Sequence, residues 1–176
     1  MAQPTFHFHS EHWTDTSKFN LAGGETGWNT AETKLPTYWT TPFSKICLGM
    51  KVGQQIKFTV INEQVNSFYS LIGDGQYRTT SLGRDKWKTL IGSQASLQSN
   101  CNKEGFNVVC DIKSSKARIG FVWNNQDDYS SCDSKKGFRT RGLYDDSNTC
   151  GNQATRSGDN GTNTSRPWDT SLCNKM

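Results

Sequence analysis

The stretch from Asn124 to Asn152, NNQDDYSSCDSKKGFRTRGLYDDSNTCGN, constrains the fold more than any other part of the chain. Asp, Asn, Ser and Gly crowd around Cys132 and Cys150, with few apolar residues among them. Such a run cannot bury enough apolar surface to offset the entropy of ordering it, so a disulfide, a bound cation or both must hold it. Hard cations such as Ca²⁺ take about six to eight oxygen ligands from carboxylates, amides and backbone carbonyls. Asp127, Asp128, Asp133, Asp145 and Asp146 offer such oxygens and are the candidate Ca²⁺ ligands. Left to solvent, the same residues would make Asx-turns instead.

The six cysteines, Cys47, Cys101, Cys110, Cys132, Cys150 and Cys173, include no CxxC pair, which disfavours a zinc knuckle or a thioredoxin-like site. An even number in a loop-rich chain points to disulfides and an oxidising compartment. The expected pairs are Cys132–Cys150, closing the polar loop, Cys101–Cys110, closing a short excursion, and Cys47–Cys173, anchoring the tail. The tripeptides Asn160-Gly161-Thr162 and Asn163-Thr164-Ser165 match the N-glycosylation pattern. No apolar run approaches membrane-spanning length or has the build of a signal peptide, so a secreted chain of this sequence would be a mature form. A net charge of +4 is scattered in small groups, without the basic face that nucleic-acid binding requires.

With 176 residues, one domain is expected over 1–176, and residues 153–176 read as a mobile polar tail. Thr5 to Trp13 alternates as a strand, with Phe6 and Phe8 on one face and His7, His9 and Glu11 on the other. Ile56, Phe58 and Val60 alternate with polar residues in the clearest strand of the chain. Arg84 to Ile91 spaces Trp87, Leu90 and Ile91 for a short inward-facing helix. Ala117 to Trp123 reads as a buried strand leading into the polar loop. The core is expected to form from the strands Ile56–Val60 and Ile119–Trp123, with the helix around Trp87 against them.

His7, His9 and Glu11 on one strand face have a spacing that can hold Zn²⁺, and His12 lies close by. A catalytic site also needs a pocket and a further acid or base, and no GxSxG, HExxH, P-loop or dinucleotide fingerprint is present. Carboxylate pairs for glycoside hydrolysis can be drawn from Glu25, Glu32, Glu63 or Glu104, but no spacing sets two of them across a cleft. Weak metal binding by the histidines is favoured over catalysis. Trp39, Trp87 and Trp123 read as core anchors. Tyr144 and Trp168, in polar surroundings, are candidates for stacking on a sugar ring, and Arg139 and Arg141 for clamping an acidic glycan.

The segments YWTTPFSKICLGMKVGQQIKFTVIN, SLGRDKWKTLIGSQASLQSNCNKEGFN, SCDSKKGF and DDSNTCGN resemble a family of secreted cnidarian domains that includes uncharacterised skeletal organic matrix proteins. The resemblance runs from Trp39 to Asn152 and more loosely from Leu21. The Cys132 to Cys150 region is also similar to the calcium-containing carbohydrate site of intelectins and, more distantly, of fibrinogen-like domains. The chain departs from the family in carrying Tyr129 in place of a cysteine and Arg139 and Arg141 in place of glycines. It departs from intelectins in carrying Ser130 and Ser131 in place of histidines. What the resemblance implies is a single β-rich, loop-rich, disulfide-bonded α+β domain of fibrinogen/intelectin-like type, an antiparallel β-sandwich being the alternative.

The expected function is a secreted, lectin-like carbohydrate-binding module with Ca²⁺ assistance. Its partners would be glycans or glycoproteins, without nucleic-acid binding or membrane insertion. A structural or adhesive matrix protein is the alternative, and a metal-dependent enzyme using the N-terminal histidines is the third reading.

Overall fold

From Lys116 to Asn124 every residue is buried, as expected of a strand covered on both faces and paired along both edges. A computed structural model describes residues 5–24, 31–52, 54–92, 98–111, 114–141 and 150–154. The strands in chain order are β1 (Phe43–Val52), β2 (Gln55–Val65), β3 (Arg78–Thr79), β4 (Asn100–Val109), β5 (Lys116–Asn124), β6 (Ser134–Arg141) and β7 (Cys150–Ala154). Three short helices are described: α1 (Thr37–Thr40), α2 (Phe68–Ile72) and α3 (Arg84–Thr89). The protein is a β-rich domain with two antiparallel sheets, a β1–β2 hairpin and a five-stranded sheet in the order β3-β4-β5-β6-β7. Among the described residues no helix is long and apolar enough to cross a membrane.

A row of glycines crosses the larger sheet. Gly105 pairs with Gly120, Gly120 with Gly137, and Gly137 with Gly151, one from each of β4 to β7. A Cβ on Gly120 would run into the Lys136 carbonyl oxygen, and one on Gly137 into that of Ile119. Gly137 also sits at φ +143°, where side chains are strained. Arg139, two residues on, holds φ +54° although it is not glycine. It stays there because its side chain is locked: the buried guanidinium meets Glu32 Oε1 at 2.7 Å and lies over the Phe6 ring.

Both sheets share one core. Leu48 and Met50 of β1, Ile61 of β2, Trp87 under α3, and Phe106, Ile119, Phe121, Trp123 and Phe138 of the larger sheet belong to one buried cluster with Phe6, Trp13 and Tyr38. The helix at Arg84 stands where the spacing of Trp87, Leu90 and Ile91 puts it, and all three are buried. The β2 expectation is corrected. Ile56, Phe58 and Val60 are 40%, 52% and 46% exposed, and the strand enters the core through Thr59 and Ile61 instead. The N-terminal segment is corrected as well: it forms turns and a 3₁₀ helix at Glu11–Trp13, not a strand, although Phe6 and Phe8 are buried as the alternation implied. Trp13 Nε1 donates to the His7 carbonyl, which fixes this turn.

The cysteine pairing also differs. Cys110 bonds Cys132, tying the end of β4 to the entry of β6. Cys101 is buried with a free thiol and Cys132 is taken by Cys110, so Cys101–Cys110 and Cys132–Cys150 do not form; Cys47 is exposed with a free thiol, and the Cys47–Cys173 expectation falls on a residue outside the described ones. Ser115 N donates to the Cys132 carbonyl at 2.8 Å, which holds Cys132 beside the start of β5 and within reach of Cys110. Cys173 and most of the tail from 153 lie outside the described residues, and 153–154 belong to β7.

Candidate functional site

The outward stripe of β2 leads into a cleft. Among the described strands β2 pairs only with β1, and Val60, Ile61, Asn62 and Glu63 line a cleft of about 310 Å³ with the segment Thr79 to Leu82. The floor is apolar, from Val60, Ile61 and Leu82. The walls carry an amide, a carboxylate and hydroxyls from Asn62, Glu63, Thr79, Thr80 and Ser81.

One carboxylate builds the far wall. Glu104, on β4, accepts from Thr80 Oγ1 at 2.8 Å, Leu82 N at 3.2 Å, Gly83 N at 2.9 Å and Trp87 Nε1 at 2.7 Å. It thereby ties the segment before α3, the first turn of that helix and the core tryptophan to the sheet. Tyr77 hydroxyl donates to the Glu104 carbonyl, steadying the approach from β3. At the end of the cleft Arg78 pairs in a fork with Asp74 at 2.7 and 2.8 Å, which holds the Asp74 carboxyl down to about 2. The hydrogen bonds that Arg78 donates to Asp74 first, then the charge of that carboxylate and last that of Glu63, push the Arg78 guanidinium above its ordinary range. An apolar floor flanked by short hydroxyls, one amide and one carboxylate suits a small polyhydroxy ligand, whose ring has apolar faces and whose hydroxyls both donate and accept.

The residues singled out in the sequence lie elsewhere. Asp128 is exposed and caps the 3₁₀ helix Tyr129–Ser131, accepting from Ser130 N, Ser130 Oγ and Ser131 Oγ; the Ser130 bond is the main reason its carboxyl is held low. Asp127 is exposed, and Asp133 is buried against Ser134 Oγ at 3.1 Å. Among the described residues no group of three His, Cys, Asp or Glu comes together to hold a metal ion. Asp145, Asp146, Tyr144 and Trp168 lie outside the described residues. Arg139 has its fork on Glu32 inside the fold and is not a surface clamp; burial pushes it down to about 10 against the pull of that carboxylate. Arg141 Nη1 lies 2.6 Å from His9 Nε2. The three histidines diverge: His12 stacks on Phe6 and sits 3.7 Å from Asp15, while His9 is at the surface beside Phe8 and Arg141.

Comparison with protein-family models, with curated proteins and with solved structures returned no match. The cleft residues carried no signal in the sequence beyond Glu63 and Glu104 as carboxylates, because the cleft joins segments far apart along the chain.

Proposed function

We propose that the protein is an extracellular carbohydrate-binding module that takes a sugar in the cleft between β2 and Thr79–Leu82. The supporting observation is the juxtaposition of the cleft's hydroxyl, amide and carboxylate groups with the exposed stripe Ile56, Phe58 and Val60, which offers an apolar platform beside them. The disulfide Cys110–Cys132 is in keeping with an oxidising compartment. Glu63 and Asn62 bind vicinal hydroxyls, Thr80 and Ser81 complete the set from the far wall, and Phe58 stacks on the apolar face of a neighbouring residue of the glycan. The role is binding, without turnover, since Glu104 is occupied by four donors, which leaves Glu63 as the carboxylate lining the cleft without a paired acid or base.

The test is a glycan array followed by titration of the best binder. Saturable binding is expected, lowered at least tenfold by Glu63→Ala and by Phe58→Ala, and unchanged by a calcium chelator, because Glu63 is the one carboxylate in the cleft lining and Glu104 behind its wall is taken up by four donors. Binding lost in chelator but indifferent to Glu63 would move the site to the Asp127–Asp146 region and restore the calcium reading. The exposed stripe also supports a second reading, adhesion to a matrix protein. No saturable glycan with retained capture by matrix protein, abolished by Phe58→Ser, would favour it.

A further inference from the structure

Three of the buried cations are answered by acceptors. Lys34 pairs with Asp15 and donates to the Asp15 carbonyl at 2.8 Å. Arg118 donates to the Phe8 carbonyl at 2.8 Å and to Asn107 Oδ1 at 2.7 Å, and Arg139 pairs with Glu32. Lys136 differs. Its side chain is fully buried and its ammonium makes no hydrogen bond. It stands opposite Phe121 on β5, so it rises on the sheet face that carries Phe121, Trp123 and Phe138.

The neighbours deepen the contrast. The charges that act on Lys136 are Lys88 and Arg84 of α3, both of its own sign, and burial first, then these two, push its pKa down to about 7. Trp123 Nε1 is a second buried donor without an acceptor, and Lys136 Nζ lies 5.9 Å from the centre of that indole. Gln98 Nε2 is a third. Its residue is placed here by Ser134 Oγ, which donates to the Gln98 side-chain oxygen, and by Arg84, which donates to the Gln98 carbonyl. Ser134 itself pairs with Trp123 across β5 and β6. The nearby acids are directed elsewhere: Glu104 is held by its four donors, Asp133 accepts from Ser134 Oγ, and Asp85 on α3 is exposed and acts on Arg84. Buried donors are almost always satisfied, and several unmet ones in a field of like charge call for a shared acceptor that carries negative charge.

We propose that Lys136 Nζ and Trp123 Nε1, on the β5–β6 face that Lys88 and Arg84 of α3 act on, are the donors of an oxyanion site that takes a sulfate, phosphate or carboxylate group within that positive field. Arg84 is half-buried and Lys88 exposed, so the cationic side of the site reaches solvent. The site is separate from the β2 cleft and does not depend on the sugar reading.

The experiment uses the full chain at constant ionic strength in chloride, with added sodium sulfate, phosphate or acetate, and follows both thermal unfolding and the Trp123 indole N–H resonance. A saturable rise in Tm with a shift of that resonance is expected, both absent in Lys136→Met and the affinity several-fold weaker in Trp123→Phe. Equal, non-saturating Tm shifts in all three proteins would reflect exclusion of the salt from the surface and overturn the site. An unmoved indole resonance would overturn it as well, whether or not the variants fold. A sulfated oligosaccharide that moves the resonance at far lower concentration than inorganic sulfate would support the site and make the oxyanion part of a larger ligand.

Discussion

Two side chains of opposite charge show how single residues shape this molecule. Glu104 gathers four donors from β3's exit, the start of α3 and Trp87, so one carboxylate sets the shape of the cleft. Lys136 gathers none and sits in a field of its own sign. Its depressed pKa has a definite consequence for stability. Between about 7 and the ordinary lysine range the unfolded chain holds a proton that the folded protein releases, so this group penalises folding fully below pH 7 and the penalty fades as pH rises toward 10. In buffer free of oxyanions, stability relative to Lys136→Met should therefore rise over that window. Chemical denaturation of both proteins at pH 6.5, 8 and 9.5 checks this, and the variant should be more stable by about 2 kcal/mol at the lowest pH. A difference that stays constant with pH would mean that Lys136 keeps its charge in the fold. The identity of neither residue's partners was legible in the sequence. Glu104 read as one of several unplaced carboxylates and Lys136 as one of the cations scattered in small groups.

At the scale of elements, alternation located the strands but not their covered faces. The pattern Ile56, Phe58, Val60 marked β2 correctly and named the wrong face, since a period of two separates the faces without saying which will be covered. β5 was easier, because both its faces are buried and its run needs no choice. So was α3, whose Trp87, Leu90 and Ile91 all point to the core. The row Gly105, Gly120, Gly137 and Gly151 could not be seen, because these glycines share nothing in sequence and meet only through the register of the sheet. Gly137→Ala should cost about 3 kcal/mol, as its Cβ meets the backbone oxygen of Ile119 and Gly120 Cα lies beyond it. Gly75→Ala, where the same atom meets nothing, serves as a control for the strain of positive φ alone. Urea unfolding of the two variants distinguishes the effects, and equal losses would remove the argument for close strand approach.

Across the described residues, one buried core joins the two small sheets, and the Cys110–Cys132 disulfide ties the end of β4 to the entry of β6 within the larger one. Cys110–Cys132 closes a segment with a sequence separation of 22 that contains all of β5, the most buried strand. Replacing both cysteines by serine should lower stability by about 3 kcal/mol, measured by guanidinium unfolding under non-reducing conditions. The same loss on adding reductant to the unmutated protein, with none in the double variant, would assign it to this bond. From the residues alone came the buried strand over Ala117–Trp123, the short helix at Arg84 and the presence of disulfide bonding, all of which depend on local spacing and composition. The tertiary structure alone decided the pairing of Cys110 with Cys132, the outward face of β2, the enclosure of Arg139 and Lys136, and the cleft itself. Each of these depends on which distant segments the sheets bring within a few ångströms, and local periodicity carries no information about that distance.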